Sequence, residues 1–387
     1  MRTRIALVLA LLGGFTLLPG PSAQAAPEAW VDATGTLRVV TQGYGHGIGL
    51  SQWGAQGRAV AGQKVDQILG FYYPGTTKGT AAGSIKVLIT GDTDRNLVVR
   101  PVKGLKVKDF GTGKSYTLPT SVKTTAWKLK TVAGKTRLSY LKKGVYKDYK
   151  PKGKTFKGVG EFRAAGKALN LRYAGKDHFL RGGLRFVDGR TVNTLSLEAY
   201  LQGVVPAEVF TSWKPEALKA QAVAARTYAA FERADYASRS FHVYDTTRSQ
   251  VYRGSAIEHP ATNAAIKATA GRVVLYKGAL AFTQFSASNG GLTANGSKPY
   301  LSGGREDTFD TEYLNRDFFV GPMTKPKIQK AFPTLGTLQR VRVLSRFSDN
   351  RVNEVELDGS KAGTVVTTGA KLRSVTGMRS TYFSFVS

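Results

Sequence analysis

The chain has 387 residues, no cysteine and four histidines, so a disulfide framework and a Cys-based zinc site are both excluded. Its 56 Lys and Arg residues outnumber 26 Asp and Glu residues, which gives a formal net charge of +30. Such a charge predicts association with a polyanion and leaves the fold open. A chain of this length buries enough surface to be stable without disulfides and has room for more than one domain.

The first 25 residues have the three-part pattern of a secretory signal peptide. Arg2 and Arg4 precede an apolar run over residues 5–18, and small residues follow at 23–25. The competing interpretation is a retained membrane anchor, but the run is short for a bilayer. We therefore expect cleavage near Ala25 and a secreted or cell-wall-associated protein. For an exported chain the candidate polyanions are wall polymers, anionic lipids and peptidoglycan. Nucleic acid is not expected, since no recognition motif accompanies the charge.

Residues 26–83 form the next segment, which we expect to pack on the core of the protein. Residues 43–49 read GYGHGIG, so every second residue is a glycine. The backbone of glycine can adopt conformations that other residues cannot. Ser51 is predicted to cap a short helix over residues 52–61. A second helix is predicted over residues 65–72 and ends at Pro74.

Residues 84–190 are predicted to form a basic, β-rich region. Residues 85–89 and 105–108 alternate with the period of two that is typical of strands. Residues 100–160 alone contain 17 Lys or Arg residues and two acidic residues. Two interpretations stay open for this charge: a solvated surface, or a surface that binds anionic wall polymers.

The segment of residues 191–387 begins with sequence patterns that predict helices. Ser196 is predicted to cap a helix over residues 197–202, a loop is predicted over 203–213, and a long helix is predicted over residues 215–235. The long helix has a narrow apolar stripe formed by Leu218, Ala222, Ala225 and Ala229. Lys219 and Arg226 lie on one shoulder of this stripe and Gln221 lies on the other, where side chains can reach a neighbouring groove.

The rest of the chain completes an α+β prediction. A further helix is predicted over residues 260–269, and strands are predicted over residues 272–276, 281–286, 341–344 and 354–357. The predicted fold class is α+β, an antiparallel β-rich domain with inserted helices that carry the main motif.

Two motifs together resemble the SpoIID/LytB family, which includes stage II sporulation protein D and amidase enhancers. Residues 197–208 read LEAYLQGVVPAE, and residues 213–229 read WKPEALKAQAVAARTYA. Residues 45–55 read GHGIGLSQWGA and resemble a second motif of the family. In familiar members this Gly-His-Gly motif lies towards the C-terminus, whereas here it comes first. The resemblance therefore implies a permuted motif order, and we expect His46 and Glu208 to meet at one cleft.

The resemblance implies lytic transglycosylation of peptidoglycan glycan strands, with Glu208 as the catalytic acid. Without the motif, the competing interpretation of Glu208 is a surface carboxylate. Six residues are expected to bind the glycan or support the site: Lys219, Gln221, Arg226, His46, Ser51 and Gln52. Within this set, Arg226 and Lys219 suit the lactyl carboxylate of muramic acid, and Gln221 suits an acetamido group. Ser51 combines this role with helix capping.

No metal and no cofactor are expected. Some family members bind zinc through His and Cys near a Ser-Gly-Gly segment, but the matching residues 285–291 read FSASNGG and contain neither. An alternative function stays open, namely a non-catalytic wall protein that enhances an amidase. That function has no need of Glu208. The expected partners are thus peptidoglycan glycan strands, with anionic wall polymers and a wall amidase as further candidates.

Overall fold

The structure is a computed structural model that describes residues 27–120, 123–361 and 363–386. The predicted signal peptide lies outside the described residues. Within these ranges the fold is α+β, as predicted, with seven α-helices among mostly antiparallel strands. No helix in the described ranges has the length and apolar character needed to cross a membrane.

The elements are numbered in chain order. The α-helices are α1 (Gln52–Val60), α2 (Val65–Tyr72), α3 (Leu197–Glu208), α4 (Pro215–Asp235), α5 (Pro260–Ala268), α6 (Lys325–Ala331) and α7 (Gly369–Thr376). The strands are β1 (Val31–Asp32), β2 (Leu37–Gln42), β3 (Leu50–Ser51), β4 (Thr77–Thr80), β5 (Ser84–Leu88), β6 (Leu97–Val99), β7 (Lys106–Asp109), β8 (Ser115–Thr117), β9 (Ala126–Val132), β10 (Lys135–Lys142), β11 (Val145–Asp148), β12 (Gly160–Arg163), β13 (Leu169–Tyr173), β14 (Lys176–Leu180), β15 (Gly183–Val187), β16 (Arg190–Ser196), β17 (Val243–Tyr244), β18 (Arg272–Tyr276), β19 (Ala279–Leu280), β20 (Phe285–Ser286), β21 (Arg316–Val320), β22 (Leu338–Arg346), β23 (Val352–Gly359), β24 (Thr364–Thr368) and β25 (Tyr382–Val386).

Two large sheets build the basic region. One has the strand order β11-β10-β9-β6-β13-β14, and the other has the order β17-β5-β16-β15-β12-β7-β8. Inward-facing side chains of both sheets, such as Trp127 and Phe162, join a single hydrophobic core with side chains from α3 and α4. This core thus combines residues from either side of residue 190, and the domain boundaries predicted from the sequence stay a prediction.

Helix α4 lies between two hydrophobic cores. Its predicted stripe is buried in the first core. Another set of its small side chains, Ala217, Ala220, Val223 and Ala224, belongs to a second core shared with α1 and α2. Because small apolar residues occur nearly all round this helix, it is buried on most of its circumference rather than on one stripe.

The two ends of the described chain meet in a third core. Strand β2 pairs with β21 and with β25, and β1 pairs with β22 at the edge of the sheet β1-β22-β23-β24. Side chains such as Val39, Val355 and Phe383 fill this core. The pairing fixes the start of the Gly-rich segment 43–49, which directly follows β2.

Candidate functional site

The Gly-rich segment 43–49 lies between two distant parts of the chain. Backbone hydrogen bonds join Tyr44 to Ser288 in both directions, at 2.9 and 3.0 Å. The Gly45 N–H donates to the Arg379 carbonyl (2.9 Å), and β3 pairs in parallel with β20. These bonds bring residues 284–288 and 379 against the segment.

Glycine is required where the contacts are closest. Gly47 has φ +73°, and a Cβ at this position would lie 2.1 Å from Arg351 Nη2. Gly49 has φ +68°, and a Cβ there would lie 2.2 Å from the Gln284 carbonyl oxygen. Both positions combine a left-handed backbone with a contact that leaves no room for a side chain. The alternating glycines thus have a packing reason that the sequence pattern does not reveal.

Glu208 is the last residue of α3, which corrects the loop predicted over residues 203–213. Gly203 and Pro206 are poor helix formers, and they are the reason for the wrong prediction. The helix continues because tertiary packing outweighs this propensity. A Cβ on Gly203 would lie 2.6 Å from the Tyr252 ring, so the missing side chain allows α3 to pack closely on residues 252–254.

Glu208 and His46 line the same cleft, which has a volume of about 500 Å³. The lining residues come from the Gly-rich segment, α1, α3, α4, the loop after β17 and the region of β20. They are Tyr44, Gly45, His46, Gln52, Glu208, Tyr228, Thr247, Arg248, Ser249, Gln284, Phe285, Ser286 and Ala287. The fold therefore brings the two separated sequence motifs together.

Burial raises the pKa of Glu208 above its ordinary value, because the ionised carboxylate loses hydration. Two groups oppose this rise. The Val251 N–H donates to Glu208 Oε1 at 2.7 Å, and the Gln52 amide faces the carboxylate. A carboxyl group in this environment keeps its proton at a higher pH than a solvated Glu does, which is the property of a general acid.

The loop after β17 is held rigidly enough to aim the Val251 N–H at Glu208. Next to Val251, the buried Gln250 amide accepts from the Tyr200 hydroxyl (3.1 Å) and donates to the Ala225 carbonyl (3.2 Å). The Tyr252 hydroxyl donates to Asn193 Oδ1 at 2.8 Å. This network joins α3, α4 and β16 to the loop and fixes one hydrogen bond of the carboxylate.

His46 is a neutral side chain in this cleft. Its Nδ1 accepts a hydrogen bond from the Ile48 N–H at 3.0 Å, so the proton of the neutral ring is on Nε2. Burial, together with the nearby charges of Arg373 and Arg351, lowers the pKa of His46 to about 4. At neutral pH the ring can orient a polar group but has no second proton to donate.

We predict that the imidazole of His46 stays neutral from pH 8 down to about pH 5. Since its pKa in the folded protein is below the unfolded value of about 6.5, its contribution to stability is present above pH 6.5 and is lost as the pH falls towards 4. Imidazole ¹⁵N chemical shifts measured against pH test this directly, and the shift of His46 is assigned by its disappearance in His46→Gln. Protonation near pH 6.5 would contradict the prediction.

Gln52 and Ser51 support the site from the start of α1. Gln52 is buried in the wall of the cleft that also contains Glu208. The Ser51 hydroxyl accepts from the Gly54 N–H (3.1 Å), which makes Ser51 the predicted helix cap, and it donates to Asp310 Oδ2 (2.7 Å). Asp310 also accepts from Ser288 (2.8 Å), so Ser51 ties α1 to the segment after β20. Its fully buried hydroxyl does not face the cleft.

The structure places Arg226 away from the cleft, which corrects its expected contact with the glycan. Its side chain is 0% exposed and forms a bidentate pair with Glu198, at 2.8 and 2.7 Å. It also donates to the carbonyls of Ile266 (3.2 Å) and Arg272 (3.2 Å). The expectation failed because the shoulder of the α4 stripe is covered by α5 and the start of β18. Arg226 joins α3, α4 and α5.

Lys219 and Gln221 also lie outside the cleft lining. Lys219 Nζ forms an ion pair with Glu216 Oε1 at 2.7 Å, and Glu216 Oε2 accepts from the Val65 N–H at 2.8 Å. This places Lys219 at the junction of α2 and α4. Gln221 is 1% exposed between the two cores, and its amide finds no hydrogen-bond partner in the described part of the chain. Neither side chain is positioned to contact a ligand beside Glu208.

Residues 285–291 do not fit a zinc ion. The Ser286 hydroxyl accepts from the Gly47 N–H (3.1 Å), and the Ser288 hydroxyl donates to Asp310. These hydroxyls belong to the packing of the Gly-rich segment, and zinc prefers His, Cys and carboxylate ligands. Across residues 27–120, 123–361 and 363–386, no three such side chains cluster closely enough to hold a metal ion.

The sequence motifs did not reveal the loop that forms one wall of the cleft. Thr247, Arg248 and Ser249 line it, although this stretch has neither a periodic pattern nor a known motif. Arg248 is exposed and lies over the Tyr244 ring, with its guanidinium carbon 4.0 Å from the ring centroid. It supplies a positive charge at the cleft in place of Arg226.

A group of aromatic rings extends from the cleft. Tyr44, which lines the cleft and is 45% exposed, contacts Tyr313 edge-on at 5.5 Å between ring centroids. Tyr313 contacts Trp53 at 6.4 Å, and Trp53 contacts Phe210 at 5.9 Å. Phe210, two residues after Glu208, is 61% exposed. We call these four residues the aromatic row.

Together the fold and the cleft define an α+β protein with one partly buried acidic side chain in an open cleft. Residues 188–276 match the family model SpoIID, described as stage II sporulation protein. This range contains α3, α4 and the loop that bonds Glu208, so the chain contains a SpoIID family domain.

Curated relatives agree with this assignment over limited lengths. An amidase enhancer of Bacillus subtilis is 42% identical over 118 residues, which are 29% of this chain and 16% of that protein. Stage II sporulation protein D of Bacillus amyloliquefaciens is 28% identical over 218 residues, 50% of this chain and 61% of that protein. An uncharacterised protein of Brachyspira hyodysenteriae is 41% identical over 119 residues, 29% of this chain and 32% of that protein. The chain thus spans less than two thirds of each of these relatives.

Proposed function

We propose that this protein is exported to the cell wall and cleaves the glycan strands of peptidoglycan as a lytic transglycosylase, with Glu208 as general acid and base. The observation that carries the proposal is the partly buried Glu208 carboxyl group in an open cleft, with its pKa raised by desolvation. Among the described residues that line this cleft, it is the one carboxylate.

A single carboxyl group suits transglycosylation better than hydrolysis. Ordinary glycoside hydrolysis uses two carboxyl groups, one as acid and one as base or nucleophile. In the proposed reaction, protonated Glu208 gives its proton to the glycosidic oxygen as the bond from that oxygen to C1 of muramic acid breaks. The 6-hydroxyl oxygen of the same sugar then bonds to C1, and its proton passes to the Glu208 carboxylate. The product is a 1,6-anhydro sugar, and the acid is regenerated.

The surroundings of the cleft suit a glycan ligand. Sugar rings present apolar C–H faces that pack on aromatic rings, and the aromatic row begins in the cleft and continues to Phe210. Arg248 supplies a guanidinium for a carboxylate. Neutral His46 has one ring N–H, on Nε2, as a hydrogen-bond donor, because its Nδ1 already accepts from the Ile48 N–H. We assign the Gly-His-Gly segment to the same site as Glu208 on this basis.

The similar proteins support the general kind of function that is proposed. One is named stage II sporulation protein D and is 28% identical over 50% of this chain. Export to the wall is proposed from the N-terminal pattern of residues 1–25 and from the net charge of +30, which suits an anionic wall.

A second function is favoured by a different observation. The relative that is 42% identical is named an amidase enhancer. In this alternative the protein holds the wall through its basic sheets and stimulates a separate amidase without cutting the glycan. The partner would then be a wall amidase, and the Glu208 carboxyl group would have no chemical role.

One experiment separates the two functions. The mature protein is incubated with peptidoglycan and with peptide-stripped glycan, with and without a wall amidase, and the released fragments are identified by mass spectrometry. We expect 1,6-anhydro fragments, each lighter by one water than the hydrolytic product, from the protein alone. Release of peptides only when the amidase is present, at a rate increased by the protein, would instead establish the enhancer.

A further inference from the structure

Two adjoining cavities in the basic region lie apart from the Glu208 cleft. They have volumes of about 280 and 390 Å³, and they share three lining residues, namely Lys135, Thr136 and Phe156. The β9–β10 hairpin and residues 148–159 supply most of the walls, and the turn between β15 and β16 lines the larger cavity. We call the two cavities together the lysine groove. It shares no lining residue with the Glu208 cleft, and the proposed cleavage does not use it.

The lysine groove has an excess of positive charge. Five cationic and two acidic side chains line it, which gives a net charge of +3; they are Lys135, Arg137, Lys150, Lys154 and Lys157 against Asp148 and Asp188. Arg137 pairs with Asp148 at 3.4 Å, and both side chains are more than half exposed. The four lysines are exposed, and within residues 27–120, 123–361 and 363–386 none of them forms an ion pair. Their ammonium groups are therefore available to an anionic ligand.

A buried carboxylate holds one wall of the groove in place. Asp109 is 2% exposed and accepts from the N–H groups of Lys157 (3.1 Å) and Gly158 (3.0 Å). It also accepts from the Gly111 N–H at 2.9 Å. Phe156, the residue before Lys157, is buried in the first core. The segment that carries Lys157 is thus fixed before a ligand binds, which lowers the entropic cost of binding.

The side chains of the groove suit phosphate diesters. A lysine ammonium group is a point charge that pairs well with a phosphate oxygen, whereas a carboxylate is recognised best by the planar fork of an arginine. The arginine of the groove, Arg137, already pairs with a carboxylate. Three threonine hydroxyl groups, those of Thr131, Thr136 and Thr155, line the same walls and can donate to phosphate oxygens. The lining therefore matches a phosphodiester better than a carboxylate.

The same walls favour a polymer that has no bases to stack. Exposed ammonium groups bind single ions weakly, so useful affinity requires several phosphates on one chain. Single-stranded nucleic acids are held by stacking on exposed aromatic rings. The rings of the groove are already packed, since Phe156 is 8% exposed and Tyr149 contacts Trp127 edge-on at 5.2 Å. A concave groove also fits one extended chain better than the flat surface of a lipid bilayer.

We propose that the lysine groove binds a wall polymer of polyol units joined by phosphodiesters, and that this contact holds the protein at the cell wall. Such a polymer has one negative charge in each repeat, which matches the row of ammonium groups. The inference depends on the proposed export of the chain and not on the chemistry of Glu208. Since the groove and the Glu208 cleft share no lining residue, both can be occupied at the same time.

The salt dependence of binding tests the groove. The mature protein is titrated with a labelled synthetic oligomer of glycerol phosphate, and fluorescence anisotropy is measured at several salt concentrations. The double variant Lys154→Gln, Lys157→Gln is expected to bind at least about tenfold more weakly and to reduce the slope of log K against log[salt] by about 1.4, since each phosphate contact on a single-stranded polyanion contributes about 0.7. The matched control is Lys103→Gln, Lys176→Gln, which removes the same charge from exposed residues outside the groove and should bind nearly as tightly as the parent.

Equal weakening by the control would show that the overall charge of +30 binds the polymer, and it would overturn the inference. Tighter binding of a single-stranded oligonucleotide, of polyglutamate or of phosphatidylglycerol vesicles would also overturn it, as would the absence of oligomer binding at low salt. Melting temperatures confirm that the variants are folded. Glu208→Gln should bind the oligomer as the parent does. A protein that binds the oligomer but releases no anhydro sugar refutes only the cleavage, and one that cleaves without binding the oligomer refutes only the groove.

Discussion

Glu208→Gln is expected to lower the rate of anhydro-sugar release by about 10²- to 10⁴-fold, the usual contribution of a general acid. Glutamine keeps an oxygen that can accept from the Val251 N–H, as Glu208 Oε1 does at 2.7 Å, so the local structure is preserved. What is lost is the proton that the leaving oxygen requires. The measurement is the initial rate of fragment release at fixed pH, quantified by mass spectrometry.

The pH dependence of the parent protein follows from the same carboxyl group. Only the protonated form acts as an acid, so the rate falls as the pH rises through the pKa of Glu208. Since burial raises that pKa, activity persists at pH values where a solvated Glu is ionised. The neutral His46 ring does not titrate in this range, so the basic limb of the profile belongs to Glu208.

Stability gives an independent check on the same variant. A raised pKa means that ionisation is less favourable in the folded than in the unfolded state, so above the unfolded value of about 4.3 the charge destabilises the parent. Glu208→Gln removes that cost. We expect it to melt at the same or a higher temperature at pH 8, with the difference vanishing near pH 4.

Glu232→Gln is the matched control, because burial also raises the pKa of Glu232 but this residue lies on α4 outside the cleft lining. It should keep the parent rate. If Glu208→Gln remains folded and as active as the parent, the proposed mechanism is wrong.

The helices were predicted well wherever start and stop signals were local. Helices α2 and α4 begin and end at the predicted residues, because a Pro or a polar residue marks their starts and Pro74 follows the first of them. Helices α1 and α5 end one residue earlier than predicted. Helix α3 was predicted six residues too short, since Gly203 and Pro206 look like a break when their tertiary contacts are not known.

Strands were predicted less completely, because many depend on distant partners. The segments 341–344 and 354–357 are the centres of the longer strands β22 and β23, whereas only β20 forms within the predicted 281–286. Helices α6 and α7 were not predicted; they are only seven and eight residues long. Pairing such as that of β2 with β25 joins residues more than 300 positions apart. No local pattern carries that information.

For the site, the sequence motif singled out Glu208, which the structure places in the cleft, but it revealed only part of the surroundings of this side chain. Glu208, His46 and Gln52 meet as expected, whereas Arg226, Lys219 and Gln221 are held elsewhere. The periodicity of α4 indicates which side chains share a face, and it cannot show that other elements, such as α5 over Arg226, cover the shoulders of that face. The alanine-rich stretch over residues 217–230 was the available signal that α4 is buried nearly all round.

Arg226→Met is expected to destabilise the protein by about 3 kcal/mol, at the lower end of the range for breaking a buried ion pair. The lower end applies because the Glu198 side chain is 38% exposed and can be partly hydrated once its partner is gone. The variant also removes the hydrogen bonds that Arg226 donates to the carbonyls of Ile266 and Arg272. The measurement is the midpoint of urea unfolding compared at constant slope, and the matched control is Lys219→Gln on the same helix.

The control should change stability by no more than about 0.5 kcal/mol, since the Lys219–Glu216 pair is partly exposed and spaced by three residues. Comparing the two variants distinguishes a structural role of Arg226 from a role in binding the glycan. If Arg226 contacts the glycan, the substituted protein binds the glycan more weakly and its unfolding midpoint stays unchanged. A residue that joins α3, α4 and α5 lowers the unfolding midpoint, and it affects glycan cleavage only to the extent that α3 shifts Glu208. If Arg226→Met keeps the parent unfolding midpoint but binds the glycan more weakly, the predicted contact between Arg226 and the glycan is correct after all.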